Sequence, residues 1–346
     1  MPLIPAPQLK EFAQQILLAA KVPLHKARVV AECLISSNLR GVDSHGIQLL
    51  PFYIEQLLAG EVDAAADGRV VSESGSCLVF DGQNALGQWV AETCCEHAVR
   101  IARSQGIGMV VARESNHFGP AAWWAQKIRD EGQIGIVMCN ASPIVPPWQG
   151  REGRLGTNPI CMSVPGPWLL DMATTTVAAG KVFKAFLNGQ PEIPAGWAFD
   201  SQGVPTTNTA DAYKGMLQPL GGYKGSGLAM MVEILCSTLG GGVMPNEIGG
   251  IRFRGKRVRV SQMFLAIDVA RFMPIEEFTA RVEQLVGLMK STPTAPGYDE
   301  VMVAGDPEWR TEAERLEKGI PVADGNWDAL CKAAARVGVE VPERHR

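Results

Sequence analysis

The sequence predicts an α+β fold, a mixed-sheet core preceded by a small N-terminal helical cap. Three observations carry this. The first sixty residues hold only helical periodicity. From about residue 68, short β-type runs alternate with helical stretches. That alternation keeps no strict βα period, which separates it from a plain doubly wound sheet. The expected division is a cap over residues 1–67 and a core over residues 68–346, with room for one inserted lobe and with the C-terminal helices packing back on the cap.

In the cap, Leu9, Phe12, Ala13, Ile16, Leu17 and Ala20 recur at i, i+3, i+4, i+7 and i+8, the buried stripe of a helix that ends before Pro23. A second helix runs through "KARVVAECLISSNLR" to Gly41, and a third through "IQLLPFYIEQLLAG". In the core, "CLVFDG", "IGMVVARES", "IGIVMCNA", "NPICMSVP", "WLLDMAT" and the late "QMFLAIDVA" read as strands. Helices are expected at "QWVAETCCEHAVRIARSQG", "AAWWAQKIRDEG", Thr176 to Leu187, "PIEEFTARVEQLVGLMK", "PEWRTEAERLEKG" and "NWDALCKAAARVG". Because "GSGLAMMVEILCSTL" is apolar on nearly all sides, it is expected to be a central buried helix.

A chain of 346 residues with 46% hydrophobic and 20% charged residues can bury a large globular core. The net charge of -4 gives no electrostatic reason for nucleic acid or an anionic membrane to be a partner, so a small molecule is expected. The eight cysteines are scattered, with no C-x-x-C pair, which argues against a zinc site and fits buried thiols in a reducing compartment. The opening segment lacks a basic stretch followed by an apolar one, and no apolar run approaches the roughly 20 residues of a membrane span, so the cytoplasm is the expected location.

Ser44 and His45 sit at a glycine-flanked break between two helical stretches, in "GVDSHGIQLLPFY". Adjacent side chains diverge, so these two rarely reach one another as a nucleophile and its base require, and hydrolysis ranks a poor third. Ser44 can instead cap a helix or orient His45 by a hydrogen bond. His117 lies at a second glycine-marked turn, in "ESNHFGPAAWW". An imidazole titrates near neutrality, which suits proton exchange, although a lone histidine can also be structural. His25, His97 and His345 look solvent-exposed, and none of the five histidines has metal-ligand spacing, so no metal is expected. "GSGLAM" lacks the third glycine of a dinucleotide fingerprint and no acidic residue follows about twenty positions later, making the core non-Rossmann. "PLGGYKGSGLAMM" still sets Lys224 and Gly225 at a helix N-terminus, where an anion is favoured; the plain alternative is a glycine-rich turn. Asp171 and Thr174 to Thr176 mark a strand-to-helix opening, which could equally be a helix cap.

Taken together, "DSHGIQLLP", "SNHFGPAAWWA", "VPPWQGREGRLGTNP", "LDMATTTVAAGK", "IPAGWAFDSQGVPTT" and "LGGYKGSGLAMMVEIL" resemble the malate/L-lactate dehydrogenase type 2 family, in order from about residue 30 to 330. That family includes ureidoglycolate and sulfolactate dehydrogenases, diketogulonate reductase and cyclic-imine reductases. The resemblance implies a non-Rossmann nucleotide-binding core, a homodimer, and reversible hydride transfer between NAD or NADP and a 2-hydroxy/2-oxo acid. His45 and His117 match the two histidines from which the family's proton carrier is drawn, with His45 ranked first and Ser44 as its orienting partner. Implied cofactor contacts fall on Asn140, on Leu170, Asp171, Met172 and Ala173, on Tyr223 and Lys224, and on Gly305 and Asp306. Thr174 and Gly225 join them from the reading of the two helix openings. Coenzyme choice stays open, since no Rossmann acidic residue is present.

The sequence departs from the family at Leu49, where an arginine usually meets the substrate's anionic groups. Either Arg154 or Arg40 takes the carboxylate, or the substrate is less anionic than malate. Lys181 matches the hydroxy-acid branch, which leaves reduction of cyclic imino acids as runner-up. A metabolite-binding homologue without catalysis is the third reading, opposed by the retention of both histidines and Lys224.

Overall fold

The computed structural model describes residues 3–251 and 255–342; His345 lies outside them. The cap is built from α1 (Ala6–Ala19), α2 (Leu24–Leu39) and α3 (Leu50–Leu58), which bury the expected stripe of Leu9, Phe12, Ala13, Ile16 and Leu17. The chain's other end completes this core. β1 (Leu3–Ile4) pairs with β12 (Ile320–Pro321), and Trp327 and Leu330 of α11 (Asp324–Arg336) pack among the cap's apolar residues. Lys26 is buried, with its ammonium shared among the carbonyls of Ala64, Ala65 and Ala66 and the Asp67 carboxylate, and so ties the end of the cap to α2.

The main sheet has seven strands: β2 (Arg69–Ser74), β3 (Cys77–Asp81), β4 (Ile107–Ser115), β5 (Gln133–Cys139), β6 (Ile160–Ser163), β7 (Leu169–Met172) and β11 (Val260–Asp268). Their order is β2-β3-β4-β11-β5-β6-β7, and only β3 and β4 pair in parallel. The late strand β11 is slotted between β4 and β5 and runs antiparallel to both. That arrangement makes the sheet mixed rather than doubly wound. Side chains alternate across β11 as strand geometry requires. Phe264 and Ala266 join the core under α4 (Gly87–Gln105) and α5 (Ala121–Asp130), while Met263 faces Val232 and Cys236 on the opposite side. The two helices approach the sheet closely because Gly108 and Gly135 lack side chains. A Cβ there would fall 2.2 Å from the Ala98 carbonyl and 2.6 Å from that of Ala125.

Residues 144–229 contribute a third apolar cluster, holding Val145, Val182, Ala198 and Leu217. It contains a small sheet of β8 (Ala198–Phe199), β9 (Pro205–Thr206) and β10 (Met216–Leu217), with α6 (Ala179–Leu187) and α7 (Thr209–Lys214). α8 (Tyr223–Glu233) continues into a π-type turn over Ile234–Thr238. This helix corrects the expectation of a central buried element. Ala229, Val232 and Cys236 face inward, but Met230 is 53% exposed, Ile234 52% and Leu239 57%. Apolarity on all sides shows that both faces avoid water; it does not show that both are covered by the same chain. α9 (Ile275–Lys290) and α10 (Asp306–Lys318) follow β11, and α10 packs on the end of α2.

Candidate active site

The chain leaves α2 through Gly41, whose φ of 78° is a left-handed turn, and forms a single 3-10 turn over Asp43–His45. Asp43 is held bidentately by Arg315 of α10, at 2.7 and 3.1 Å, and by Asn38 Nδ2 at 2.6 Å. Asn38 Oδ1 also accepts from the Ile47 N–H at 2.7 Å, in space that a Cβ at Gly46 would fill. This lattice fixes the corner from which Ser44 and His45 project. Ser44 Oγ lies 3.0 Å from His45 Nδ1, so Ser44 orients the imidazole and does not cap the following turn.

His117 leaves the end of β4 beside Asn116, whose Nδ2 is pinned by the carbonyls of Asn84 and Ala85. Its Nδ1 lies 2.7 Å from the Tyr53 hydroxyl of α3 and accepts from the Gly119 N–H at 3.3 Å. A backbone amide can only donate, so Nδ1 is a lone-pair nitrogen and the ring carries its proton on Nε2. The two imidazoles stack, with centroids 5.6 Å apart and planes 24° from parallel. At Nδ1, His45 therefore meets a hydroxyl, which can accept a hydrogen bond, whereas His117 meets a hydroxyl and an amide, and the amide can only donate.

Other segments singled out from the sequence gather along β7. At one end, the Leu169 N–H donates to the Ala304 carbonyl at 3.1 Å, which brings Gly305 and Asp306 alongside. Asp306 accepts from the Val303 N–H and pairs with Lys290, so its carboxylate serves its own turn. At the other end, the Leu220 N–H donates to the Thr174 carbonyl, and a Cβ at Gly225 would fall 2.5 Å from that carbonyl. The opening of α8 thus rests on the exit of β7, with Tyr223 and Lys224 exposed and no side chain capping the helix. Leu170, Met172 and Ala173 are half-buried. Asn140 stands apart: its side chain donates to Glu233 Oε2 and accepts from the Ser261 N–H. Asn158 binds the other oxygen of the same buried Glu233.

Asp171 accepts from the Ala122 N–H at 3.0 Å, which places a carboxylate at the opening of α5, just after His117. The residue keeps an exposed surface, yet desolvation of its carboxyl by the surrounding protein disfavours the charge and pushes its pKa up to about 6. The Ala122 N–H and the Arg40 guanidinium oppose that rise, while Glu308 adds to it.

The position of the family arginine receives a plain answer. Leu49 is 1% exposed within the cap's apolar cluster, in the turn that packs on α11. Arg154 is a surface residue paired with Glu152. Arg40 is buried against Gln126 and Glu312, with Nε and Nη2 unpartnered. The neighbour of the Ser44–His45 corner is the uncapped opening of α6: a Cβ at Gly180 would touch Ser44 Cβ at 3.1 Å. Lys181 follows, exposed.

Tyr53, Asn38 and Arg315 are not singled out by the sequence as contributors to the site. Tyr53 had a signal, a hydroxyl-bearing ring on the buried stripe of α3 with Leu50 and Ile54. Arg315 had none, since nothing local links α10 to the turn at Asp43. Among the described residues no group of three or more His, Cys, Asp or Glu is placed to hold a metal ion.

Comparison with known proteins adds the following. A family profile described as malate/L-lactate dehydrogenase matches residues 4–331. The malate dehydrogenase of Pyrococcus horikoshii is 37% identical over 97% of this chain and 96% of its own. The solved structure of the sulfolactate dehydrogenase from Methanocaldococcus jannaschii superposes with a TM-score of 0.91 at 34% identity, covering 98% of each chain. That of the delta1-piperideine-2-carboxylate reductase from Pseudomonas syringae superposes at 0.84 with 28% identity, covering 96% of this chain and all of its own.

Proposed function

The chain belongs to the malate/L-lactate dehydrogenase family, and on that premise we propose that it is an oxidoreductase using NAD or NADP to interconvert a small 2-hydroxy acid and its 2-oxo acid. The observation that carries this reading is the stacked pair His45–His117 with its two unlike anchors. A bound nicotinamide supplies or accepts the hydride. The uncapped opening of α8, with Lys224 exposed beside it, fits the pyrophosphate of such a cofactor, and the edges of β7 and Gly305 fit its remainder.

As the substrate's carbonyl carbon becomes tetrahedral, negative charge grows on its oxygen, and a positioned acid must neutralise it. His45 gives up the proton on Nε2 while its Nδ1–H rests on Ser44 Oγ. In the oxidative direction His45 takes the hydroxyl proton. His117 keeps its proton on Nε2 and polarises without adding a second positive charge. The substrate's carboxylate is placed at the opening of α6, where backbone N–H groups and Lys181 lie next to Ser44.

The likeness to a piperideine-2-carboxylate reductase, together with Leu49 in place of an arginine, supports reduction of a cyclic imino acid as the second reading. In that case His45 protonates nitrogen. Both readings are tested by following nicotinamide absorbance with each coenzyme against a panel of 2-oxo acids and cyclic imines. Turnover of an oxo acid supports the first, turnover of an imine alone supports the second, and no turnover with any member favours a binding protein.

The exposed apolar stripe of α8 supports a homodimer formed on that face. Free thiols at all eight cysteines support a reducing compartment such as the cytoplasm. Among the described residues no helix is long and apolar enough to cross a membrane.

A further inference from the structure

Beside His117 lies a cavity of about 10 Å³ whose lining includes Tyr53, Gln56, Gln88, Asn116 and His117 itself. Every lining residue except His117 is buried. Gln56 Nε2, Gln88 Nε2 and Asn116 Oδ1 of this lining have no partner at hydrogen-bond distance, although Gln88 lies close enough to Tyr53 to oppose the rise of the phenol's pKa. The Asn116 amide is unambiguous, since its Nδ2 is committed to the carbonyls of Asn84 and Ala85. Two donors and one acceptor therefore line a space of about the size one water needs. A buried donor or acceptor left unpaired keeps its full desolvation penalty, which a bound water removes.

We propose that this cavity is a built site for one structural water, and that the water, through Tyr53, acts with the Gly119 N–H to hold the tautomer of His117. A water there accepts from Gln56 Nε2 and Gln88 Nε2 and donates one hydrogen to Asn116 Oδ1. Its second hydrogen has Tyr53 Oη as its acceptor. The phenol's own hydrogen must then point to His117 Nδ1, 2.7 Å away. The Gly119 N–H on the same Nδ1 demands the same direction from the other end. Burial holds the Tyr53 phenol well above its ordinary range, so it remains a donor throughout. Gln56, Gln88 and Asn116 are thus positioning residues: they touch no substrate and act on His117 through the water and Tyr53.

The existence of the water does not depend on the proposed dehydrogenase activity; its consequence for turnover does. Two measurements on the full chain without substrate or coenzyme separate them: a crystal structure at a resolution that shows ordered water, and NMR of isotope-labelled histidine side chains. The expected results are a water bonded to the three orphaned atoms, and a His117 ring with a bare Nδ1 and a protonated Nε2. In Gln88→Met, which keeps the length and removes the donor, the His117 signal should become a mixture of tautomers. In the active enzyme kcat should then fall about 10-fold with KM little changed. A dry cavity whose amides bond one another, or an Nδ1–H tautomer in the unmodified protein, would overturn the proposal even if Gln88→Met failed to fold. So would a Gln88→Met protein with unchanged tautomer.

Discussion

The rings of His45 and His117 stack at 5.6 Å, and at that distance two imidazolium charges would repel by about 3 kcal/mol at an effective dielectric of about 20. That repulsion disfavours charging both rings together. The Gly119 N–H on His117 Nδ1 disfavours an imidazolium there, which would set one N–H against another, and this supports His45 as the proposed carrier of the charge. This pair is the feature from which the proposed chemistry proceeds.

Asp171 gives a pH dependence with a defined sign. Its pKa is raised to about 6 in the folded protein, against about 3.9 in an unfolded chain. The native state therefore holds this proton more tightly. The stability it contributes is complete below about pH 3.9 and is lost as pH rises through about 6. In thermal unfolding followed across that window, Asp171→Asn should gain stability relative to the parent as pH rises. A constant difference between the two proteins would contradict the assignment.

Lys181 and Arg154 offer a contrast in substrate binding. If the carboxylate sits at the opening of α6, Lys181→Ala should raise KM for the acid about 10-fold, the worth of one charge-assisted hydrogen bond. Arg154→Ala should leave steady-state kinetics unchanged, as its ion pair with Glu152 lies on the surface. The reverse pattern would move the carboxylate to the loop carrying Arg154.

Gly225 is required by contact rather than by an unusual φ. An added Cβ would lie 2.3 Å from the Leu220 nitrogen and 2.5 Å from the Thr174 oxygen. Gly225→Ala should destabilise the protein by about 1–3 kcal/mol in denaturant titrations and weaken coenzyme binding. Unchanged coenzyme affinity would detach the α8 opening from the cofactor site.

The outward stripe of α8 makes its own prediction. Sedimentation should show the parent protein as a dimer and the double variant Met230→Glu, Ile234→Glu as a monomer. A monomeric parent, or a dimeric variant, would place the interface elsewhere or remove it.

Much of this molecule is legible in the sequence, and what is not has physical causes. The cap helices, α4, α5 and all the main strands from β3 onward follow from local periodicity, which needs no knowledge of partners. The insertion of β11 between β4 and β5 does not follow, because a strand's pattern names its faces and not its neighbours. α8 was misread for a related reason: the sequence shows that its surface is apolar but not against what it is buried. His45 and His117 stand out as histidines at glycine-marked turns, whereas their stacking depends on Arg315, Asn38 and Tyr53 reaching in from other elements. Leu49 drew attention as a missing charge, and the fold turns that position into the cap's core.

The most direct test of the assignment is turnover of His45→Asn beside His117→Asn with the best substrate from the panel, with coenzyme affinity measured separately. His45→Asn should lose about 10²–10⁴-fold in kcat while binding coenzyme as the parent does, and His117→Asn should lose less. If His45→Asn keeps turnover within about threefold of the parent while His117→Asn does not, the proton carrier is His117 and the account of the pair is wrong.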